Sequence, residues 1–232
     1  MKKKVLKLDK HLLLQYCLPE TAQPYSLEHP LIKPYTGNRI VRFLEYLRFQ
    51  YMLNSCHFEE DEIAFDAGSG SNVFLPTLAG YFKMVYAVDS NEEYIRKGKE
   101  LCDILHLQNV QLFCQDLSTL SFPDNTFNVI FCASVLEHLR DKELVSVVRE
   151  LKRVLRTDGV FCCSSPTETL LYQIGRRVFG FEKPKDHYQT SKSIFLVVRE
   201  QFPRFEIKKI PFNVPRFLAA HEMIVGYKPV SK

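Results

Sequence analysis

From about residue 61 onward, short apolar runs alternate with stretches of helical character, and no other feature of the chain constrains the fold as strongly. Strands that are separated by helices pair in parallel, because a helical crossover returns the chain to the same edge of the sheet. The alternation therefore predicts an α/β fold built on a doubly wound sheet. The predicted strands of this part are Ile63–Ala67, Met84–Val88, Val110–Cys114, Phe127–Ala133 and Gly159–Ser164.

The end of the chain follows a different pattern. Phe205–Phe212 and Met223–Lys228 are predicted strands, and the ten residues between them are too few for a helical crossover, so the two should pair antiparallel. The whole sheet is thus expected to be Rossmann-like, with seven mostly parallel strands, a reversed edge strand and the order 3-2-1-4-5-7-6. The predicted helices are Asn38–Leu53, Asn72–Phe82, Asn91–Leu107, Asp141–Arg156 and Ser191–Phe202.

Two segments lie outside the regular alternation. Residues 1–60 precede the first strand and are predicted to form an N-terminal helical cap or extension, while residues 61–232 form the main domain. An insertion at about residues 166–190 separates the fifth strand from the next helix. Because ligands of doubly wound folds bind outside the carboxyl ends of the strands, both segments are candidates to cover that edge.

Composition and charge exclude several classes of protein. Hydrophobic residues make up 46% of the 232 residues and charged residues 25%, as in an ordinary globular protein. The net charge of +4 resides in residues 1–10, and the neutral remainder gives no reason to expect nucleic-acid binding. The longest apolar run, Val129–Leu136, is far too short to span a membrane. Seven cysteines without a C-x-x-C pair predict free thiols and a cytoplasmic location.

A glycine turn follows the first predicted strand, in the segment IAFDAGSG. Gly68 and Gly70 let the backbone turn tightly and approach a ligand closely. A dinucleotide fingerprint would have a third glycine where Val73 stands. Asp66, just before the glycines, would repel phosphate groups. The motif therefore favours a cationic ligand without phosphate.

Two further carboxylates are predicted at the same edge of the sheet. Asp89 ends the second strand, 23 residues after Asp66, where an acidic side chain can accept both hydroxyl groups of a ribose. Asp116 and Leu117 follow the third strand. Each acid alone could be a solvated turn residue, but acids at successive strand ends beside a glycine turn indicate a nucleoside site.

At this point the sequence resembles the class I S-adenosylmethionine-dependent methyltransferases. Within them it is similar to the type 11 branch, which includes the methyltransferases of ubiquinone and menaquinone biosynthesis. The resemblance covers about residues 60–165. The ordered motifs that carry it are FDAGSGS, YAVDSN, CQDLSTLSFPDNTFNVIFCASVLEHLRD and ELKRVLRTDGVF.

The resemblance implies that residues 61–232 form a methyltransferase domain with S-adenosylmethionine as cofactor and S-adenosylhomocysteine as product. Asn72 replaces the third glycine of the family. The residues that the resemblance implies at the cofactor are Asp66, Gly68 and Gly70 around the methionine part, Asp89 and Ser90 at the ribose, Asp116 and Leu117 at the adenine, and Ser134 beside the site.

The catalytic and substrate residues are candidates only. Methyl transfer to oxygen or nitrogen also removes a proton, and His138, after the fourth strand, is the first candidate base, although it could simply pack against the next helix. His187 and Tyr188, in the insertion, are a second candidate base and a substrate contact. Tyr35 and Arg39 could hold an anionic substrate group. All of these residues have a commoner role in packing or at the surface.

No metal is expected. Glu137-His138 resembles part of the Glu-x-x-Glu-His motif of metal-dependent small-RNA methyltransferases, but Ser134 stands where the first acid would be.

The leading hypothesis is methyl transfer to a small-molecule or lipid-like, quinone-like acceptor. The alternatives are methylation of a protein or nucleic acid, and a regulatory protein that binds the cofactor without catalysis. The predicted cap helices, Asn38–Leu53 and Leu170–Phe181, carry apolar residues with arginines between them. Such helices usually pack on their own core, but they could also bind an apolar substrate or make peripheral contact with an anionic membrane.

Overall fold

A computed structural model describes residues 3–18, 33–180, 187–211 and 214–229 of the protein. Its strands are Ile63–Ala67 (β1), Met84–Asp89 (β2), Val110–Cys114 (β3), Phe127–Ala133 (β4), Leu155–Pro166 (β5), Arg204–Ile210 (β6) and His221–Tyr227 (β7). They form one sheet in the order β3-β2-β1-β4-β5-β7-β6. The reversed strand is β7, which runs antiparallel to both β5 and the edge strand β6. The predicted fold class and strand order are confirmed.

The helices cover both faces of this sheet. Two short 3-10 turns, Leu136–His138 and Arg216–Leu218, follow β4 and precede β7. The α-helices are Lys10–Tyr16 (α1), Lys33–Thr36 (α2), Arg39–Ser55 (α3), Leu75–Ala79 (α4), Glu92–Ile104 (α5), Asp141–Val154 (α6), Leu170–Val178 (α7) and Ser191–Gln201 (α8).

The central strand β4 is buried on both faces, which is why its sequence is almost entirely apolar. Side chains alternate across a strand, and in β4 Val129 and Phe131 join the core on one face while Ile130 and Cys132 join the core on the other. The first core includes residues of α1, α3 and α5, and the second includes residues of α6 and α8. A strand buried on both faces has no polar side, as expected for a parallel sheet between helices.

Several predicted boundaries differ from the structure, and two of them differ most. The helix predicted for Asn72–Phe82 is only Leu75–Ala79, because Asn72 has a left-handed backbone (φ +57°) that a right-handed helix excludes. Strand β5 begins at Leu155 rather than Gly159, since Leu155 already pairs with Phe127 before an irregularity in the register. Asp158 takes up the extra length with φ +63°.

The N-terminal segment is attached to the main domain rather than separate from its core. The Leu6 amide donates to Thr77 Oγ1 at 2.9 Å, and the Gln50 side chain bonds with the backbone of Lys3 and Val5. On α3, Met52 and Leu53 are buried in the core of the first face. The division of the chain at residue 60 stays a prediction, as does the role of its two caps.

Parts of several predicted segments lie outside the described residues. These are residues 19–32 of the N-terminal extension, residues 181–186 of the insertion and Phe212 of the predicted sixth strand. All seven cysteines are described and free; six are buried and Cys114 is exposed. Within the described ranges, every helix is too short or too polar to cross a bilayer.

Candidate active site

The glycine turn is folded back onto the end of β2. The amides of Gly68 and Ser69 both donate to the carbonyl of Val88, at 2.8 and 3.0 Å. Gly68 and Gly70 have φ of +76° and +46°, in the region that favours glycine. A side chain at Gly68 would also lie 2.5 Å from a methyl group of Val135. The turn therefore depends on glycine for its conformation and for its contact with the segment after β4.

Asp89 holds this turn from the neighbouring strand. Its two carboxylate oxygens accept the amides of Gly70 and Asn91, each at 2.9 Å. Burial raises the pKa of Asp89, and the hydrogen bonds from the amides of Asn91, Gly70 and Ser90 oppose that rise. Ser90 itself is exposed beside it. The carboxylate thus lies at the strand end where a ribose was predicted.

Asn72 shows how the turn accommodates the loss of the third glycine. Its φ of +57° is one that asparagine tolerates better than most residues. Its side-chain amide donates to the carbonyl of Tyr94 at 2.8 Å and is fully buried. Asparagine therefore replaces glycine here without changing the hand of the backbone, and it ties the turn to α5.

Asp66 is the most perturbed acid at this edge. Its side chain is only 3% exposed. Burial, and secondarily the charge of Asp89, raise its pKa from 3.8 to about 7. A buried carboxyl group without a cation favours its neutral form, and a cation bound beside it would restore the charge. The arrangement suits a cationic ligand, as the sequence predicted.

The end of β3 supplies a polar residue and an apolar one. Asp116 is exposed, and its Oδ1 accepts the amide of Ser118 at 2.7 Å, which holds its pKa below the usual range. Leu117 is buried in the second core. The pair offers a polar rim and an apolar wall, as a nucleoside base would require.

Ser134, directly after β4, has φ +56° and donates its amide to the carbonyl of Ser164. Its hydroxyl accepts a hydrogen bond from Arg48, which reaches down from α3. Arg48 is 6% exposed, and its Nη2 lies 3.1 Å from Glu45 and 3.4 Å from the hydroxyl of Tyr35. A buried cation therefore lies next to the predicted cofactor residue.

Glu137, His138 and His187 come together although 50 residues separate the first from the last. One ligand atom from each lies within 4.8 Å of the others. The rings of His138 and His187 have centroids 4.8 Å apart and meet edge to face. Burial raises the pKa of Glu137, whose Oε2 has no hydrogen-bond partner among the described residues. Carboxylate and imidazole groups of this kind also bind divalent metal ions, so the prediction of no metal remains open to test.

The insertion is attached to this cluster by its backbone. The carbonyl of Glu137 accepts the amides of both Tyr188 (2.8 Å) and Gln189 (3.1 Å). Nδ1 of His187 lies 3.3 Å from Oε1 of Glu168, at the opposite end of the insertion. His187 is thereby fixed between the turn after β4 and the start of α7.

The predicted substrate residues lie in different environments. Tyr35 is buried, and its hydroxyl faces Arg48. Tyr188 is 53% exposed, with the Arg140 guanidinium 5.3 Å from its ring centre. Arg39 is exposed at the first turn of α3, away from the burial of Arg48.

Sequence reasoning missed Arg48, Glu45 and Glu168. A signal for Arg48 was present, because it lies four residues before Met52 on the apolar stripe of α3, where a solvated arginine does not belong. Glu168 carried no such signal, since its role depends on the fold of the insertion.

The structure is an α/β domain with a glycine turn and acidic side chains at one sheet edge, and comparison with known proteins gives its class. Residues 65–163 match the family described as "Methyltransferase domain". A demethylmenaquinone methyltransferase of Staphylococcus epidermidis is 27% identical over 154 residues, which cover 63% of this chain and 62% of that protein. The chain thus spans about three fifths of the length of this curated relative.

Solved structures share the fold. A SAM-dependent methyltransferase from Aquifex aeolicus matches with a TM-score of 0.64 and 20% identity, over 80% of this chain and 92% of that one. The [4+2]-cyclase SpnF matches with a TM-score of 0.63 and 13% identity, over 79% and 80%. The recognition from the motifs is confirmed: residues 65–163 are a class I methyltransferase domain, the class whose cofactor is S-adenosylmethionine.

The buried carboxyl group of Asp66 predicts a pH dependence of stability in the absence of ligand. The folded state keeps a proton up to about pH 7, whereas the unfolded chain releases it near 3.8. The free energy of unfolding should therefore fall as the pH rises between these values and stay level above pH 7. The loss between pH 5 and pH 8 is on the order of 3 kcal/mol.

Denaturant unfolding of the wild type and of Asp66→Asn at pH 5 and pH 8 measures this contribution. The variant cannot ionise, so it should lose less stability between the two pH values and be the more stable protein at pH 8. Equal losses in both proteins would contradict the assignment to Asp66.

Proposed function

We propose that this protein transfers the methyl group of S-adenosylmethionine to a small, quinone-like acceptor that loses a proton in the reaction. The observation that carries the proposal is that two groups of side chains, one suited to the cofactor and one to the acceptor, lie at the same edge of the sheet. The buried Asp66, with its glycine turn and Asp89, forms the first group, and the histidine cluster beside Ser134 forms the second. The quinone-like acceptor is supported by the similarity to demethylmenaquinone methyltransferases.

The group suited to the cofactor follows from charge and shape. The ammonium group of the methionine part is matched to the Asp66 carboxylate, and the turn with Gly68 and Gly70 leaves room for the chain beside it. Asp89 and Ser90 are proposed to hold the ribose. Asp116 and Leu117 are proposed to contact the adenine, with the carboxylate at the rim and the leucine against the ring. Ser134 then lies on the side of the acceptor.

Methyl transfer from a sulfonium is an in-line displacement in which a new bond to the acceptor forms as the sulfur–methyl bond breaks. Catalysis of such a step comes from orientation and from exclusion of water. The acceptor must also lose its proton, and we assign this proton to His187. Glu168 orients its imidazole through Nδ1, which leaves Nε2 to accept the proton. His138 packs against that ring and is proposed to position it.

Exposed apolar residues surround the insertion, and they support peripheral contact with a membrane. Helix α7 packs against the 3-10 turn before β7. Both expose large apolar side chains, and the exposed Arg177 lies on α7 itself, whereas Arg176 is paired with Glu168. An apolar surface with basic residues binds anionic lipid surfaces, where a quinone-like acceptor would dissolve. The exposed residues of this apolar face are Leu170, Ile174, Val178, Phe217 and Leu218.

The acceptor class is tested with S-adenosylmethionine labelled in its methyl group, incubated with the protein and an extract of its source cells. Label in the organic phase is the expected result, because a quinone-like product partitions there. Label in aqueous small molecules would contradict the quinone-like acceptor, and label on macromolecules would favour the alternative of protein or nucleic-acid methylation. Cofactor binding without any transfer would favour a non-catalytic protein.

The His187→Asn variant should lower kcat by roughly 10²- to 10⁴-fold, because asparagine cannot accept the proton. Affinity for S-adenosylmethionine should stay unchanged in calorimetry, and added imidazole should restore part of the rate. His106→Asn is the matched control, since His106 is exposed with φ +54°, which asparagine tolerates.

An unchanged kcat in His187→Asn would contradict the assignment of the base. Loss of wild-type activity with a chelator, restored by a divalent metal ion, would show instead that Glu137, His138 and His187 bind metal.

Membrane contact predicts that the protein floats with phosphatidylglycerol vesicles at low salt and less so at high salt, because salt screens the arginine contribution. Val178→Asp places a charge on the apolar face and should reduce flotation. Leu196→Asp is the control, since Leu196 is also apolar and exposed but lies on α8. Equal flotation of both variants would count against this face, and no flotation of the wild type would count against membrane contact.

A further inference from the structure

Three buried polar atoms lie on the face of the sheet that α3 covers. Nε of Arg48, Oγ of Ser164 and Nδ1 of His221 are each buried, and none has a hydrogen-bond partner in the part of the chain that the structure describes. Folded proteins rarely leave such atoms unpaired, because each one forfeits its bonds to water. Three on one face of the sheet indicate a place where bound water or a ligand supplies the missing partners.

The strand register places these groups on one side of the sheet. Side chains alternate along a strand, and Ser164 is two residues after Cys162, which belongs to the core beneath α3. His221 is likewise two residues before Met223, in the same core. Both strands end here, since Pro166 at the end of β5 pairs with His221 at the start of β7. Arg48 enters from α3 above them.

The position of Arg48 links this group to the reacting centre. Its Nη1 donates to the hydroxyl of Ser134, whose amide donates in turn to the carbonyl of Ser164. Ser134 is the residue proposed to lie beside the acceptor. A molecule held by Arg48 therefore lies next to the methyl donor rather than at a remote subsite.

The N–H donors of Arg48 favour a ligand with negative charge. A guanidinium offers only N–H donors, and it binds planar oxygen anions best. Glu45, 3.1 Å from Nη2, balances the charge of Arg48, as a buried cation requires. The sulfonium cofactor then adds one positive charge, which an anionic acceptor would offset. Burial lowers the pKa of His221 to about 4, so its imidazole adds no further charge.

Aromatic side chains lie beside the arginine. The ring of Tyr35 stacks on that of Phe49 with centroids 6.4 Å apart, and Phe49 stacks on Phe74 at 4.4 Å. From α7, Tyr172 meets the ring of His221 at 6.2 Å. Aromatic side chains therefore border Arg48, and the aromatic body of the ligand is taken from the proposed quinone-like acceptor.

We propose that Arg48, with Ser164 and Tyr35, anchors the acceptor through an anionic oxygen, a carboxylate or phenolate, on an aromatic ring. The inference rests on the proposed methyl transfer, because it takes Ser134 as the neighbour of the donor. It assigns the charge and shape of the acceptor, and it moves the anion-binding role that the sequence suggested for Arg39 to an arginine nine residues further along α3.

The probe for this proposal is a matched pair of small aromatic molecules, benzoate and benzamide, which share a shape and differ in charge. Each is titrated by calorimetry into wild-type protein saturated with S-adenosylmethionine. Benzoate should bind roughly tenfold or more tightly than benzamide, as a hydrogen bond to a charged group is stronger than one to a neutral group. Equal affinities would overturn the proposal.

Variants then assign the preference to a residue. Arg48→Met should reduce the preference for benzoate to less than about twofold, and the double variant Glu45→Gln/Arg48→Met should do the same without leaving Glu45 unpaired. Arg42→Met, on the same helix, is the control that keeps the preference. Thermal unfolding shows which variants are folded; an arginine with only a structural role would weaken both probes equally, and that result would contradict the proposal.

Cofactor binding is measured first in the same calorimeter, and this separates the two hypotheses. Failure to bind S-adenosylmethionine would count against the proposed function. The benzoate preference of the free protein would still test Arg48. Loss of the preference in Arg39→Met, with retention in Arg48→Met, would return the role to Arg39.

Discussion

The site depends on two carboxylates that parallel pairing brings to one sheet edge. Strands β1 and β2 pair in register from Ile63↔Met84 to Ala67↔Val88, so Asp66 and Asp89 lie at adjacent strand ends. Asp89 accepts the amide of Gly70 in the glycine turn and that of Asn91 at the start of α5, while Asp66 is buried with a raised pKa. Asp89 therefore stabilises the glycine turn, and Asp66 favours a positively charged group beside it.

The geometry of the glycine turn and its two acids could be predicted because these residues are local in the sequence. The turn IAFDAGSG, its acid and the acid that ends β2 lie within 27 residues, and their spacing follows from one strand–helix–strand unit. The strands were predictable for a similar reason: Phe127–Ala133 is apolar on both faces, as a central strand must be. The short α4 was not, since it depends on the left-handed backbone of Asn72, which the residue type permits without requiring it.

The group formed by Arg48, Ser134 and His187 could not be predicted as a unit, because its members come from distant elements. Arg48 comes from α3, Ser134 from the end of β4, and His187 from the insertion. No periodicity relates these positions, and only tertiary packing sets their distances. A [4+2]-cyclase and a methyltransferase both share this fold, so the fold alone does not determine the side chains at the sheet edge. The scaffold is shared, and the chemistry is set by side chains that each chain adds at the edge.

The backbone of the insertion has a mechanical consequence. The amides of Tyr188 and Gln189 share the carbonyl of Glu137, and His187 precedes them directly. The imidazole of His187 can therefore move away from the turn after β4 only if these backbone hydrogen bonds break or the turn moves with it. A substitution that displaces this part of the insertion would therefore also displace the proposed base, even where it leaves the glycine turn intact.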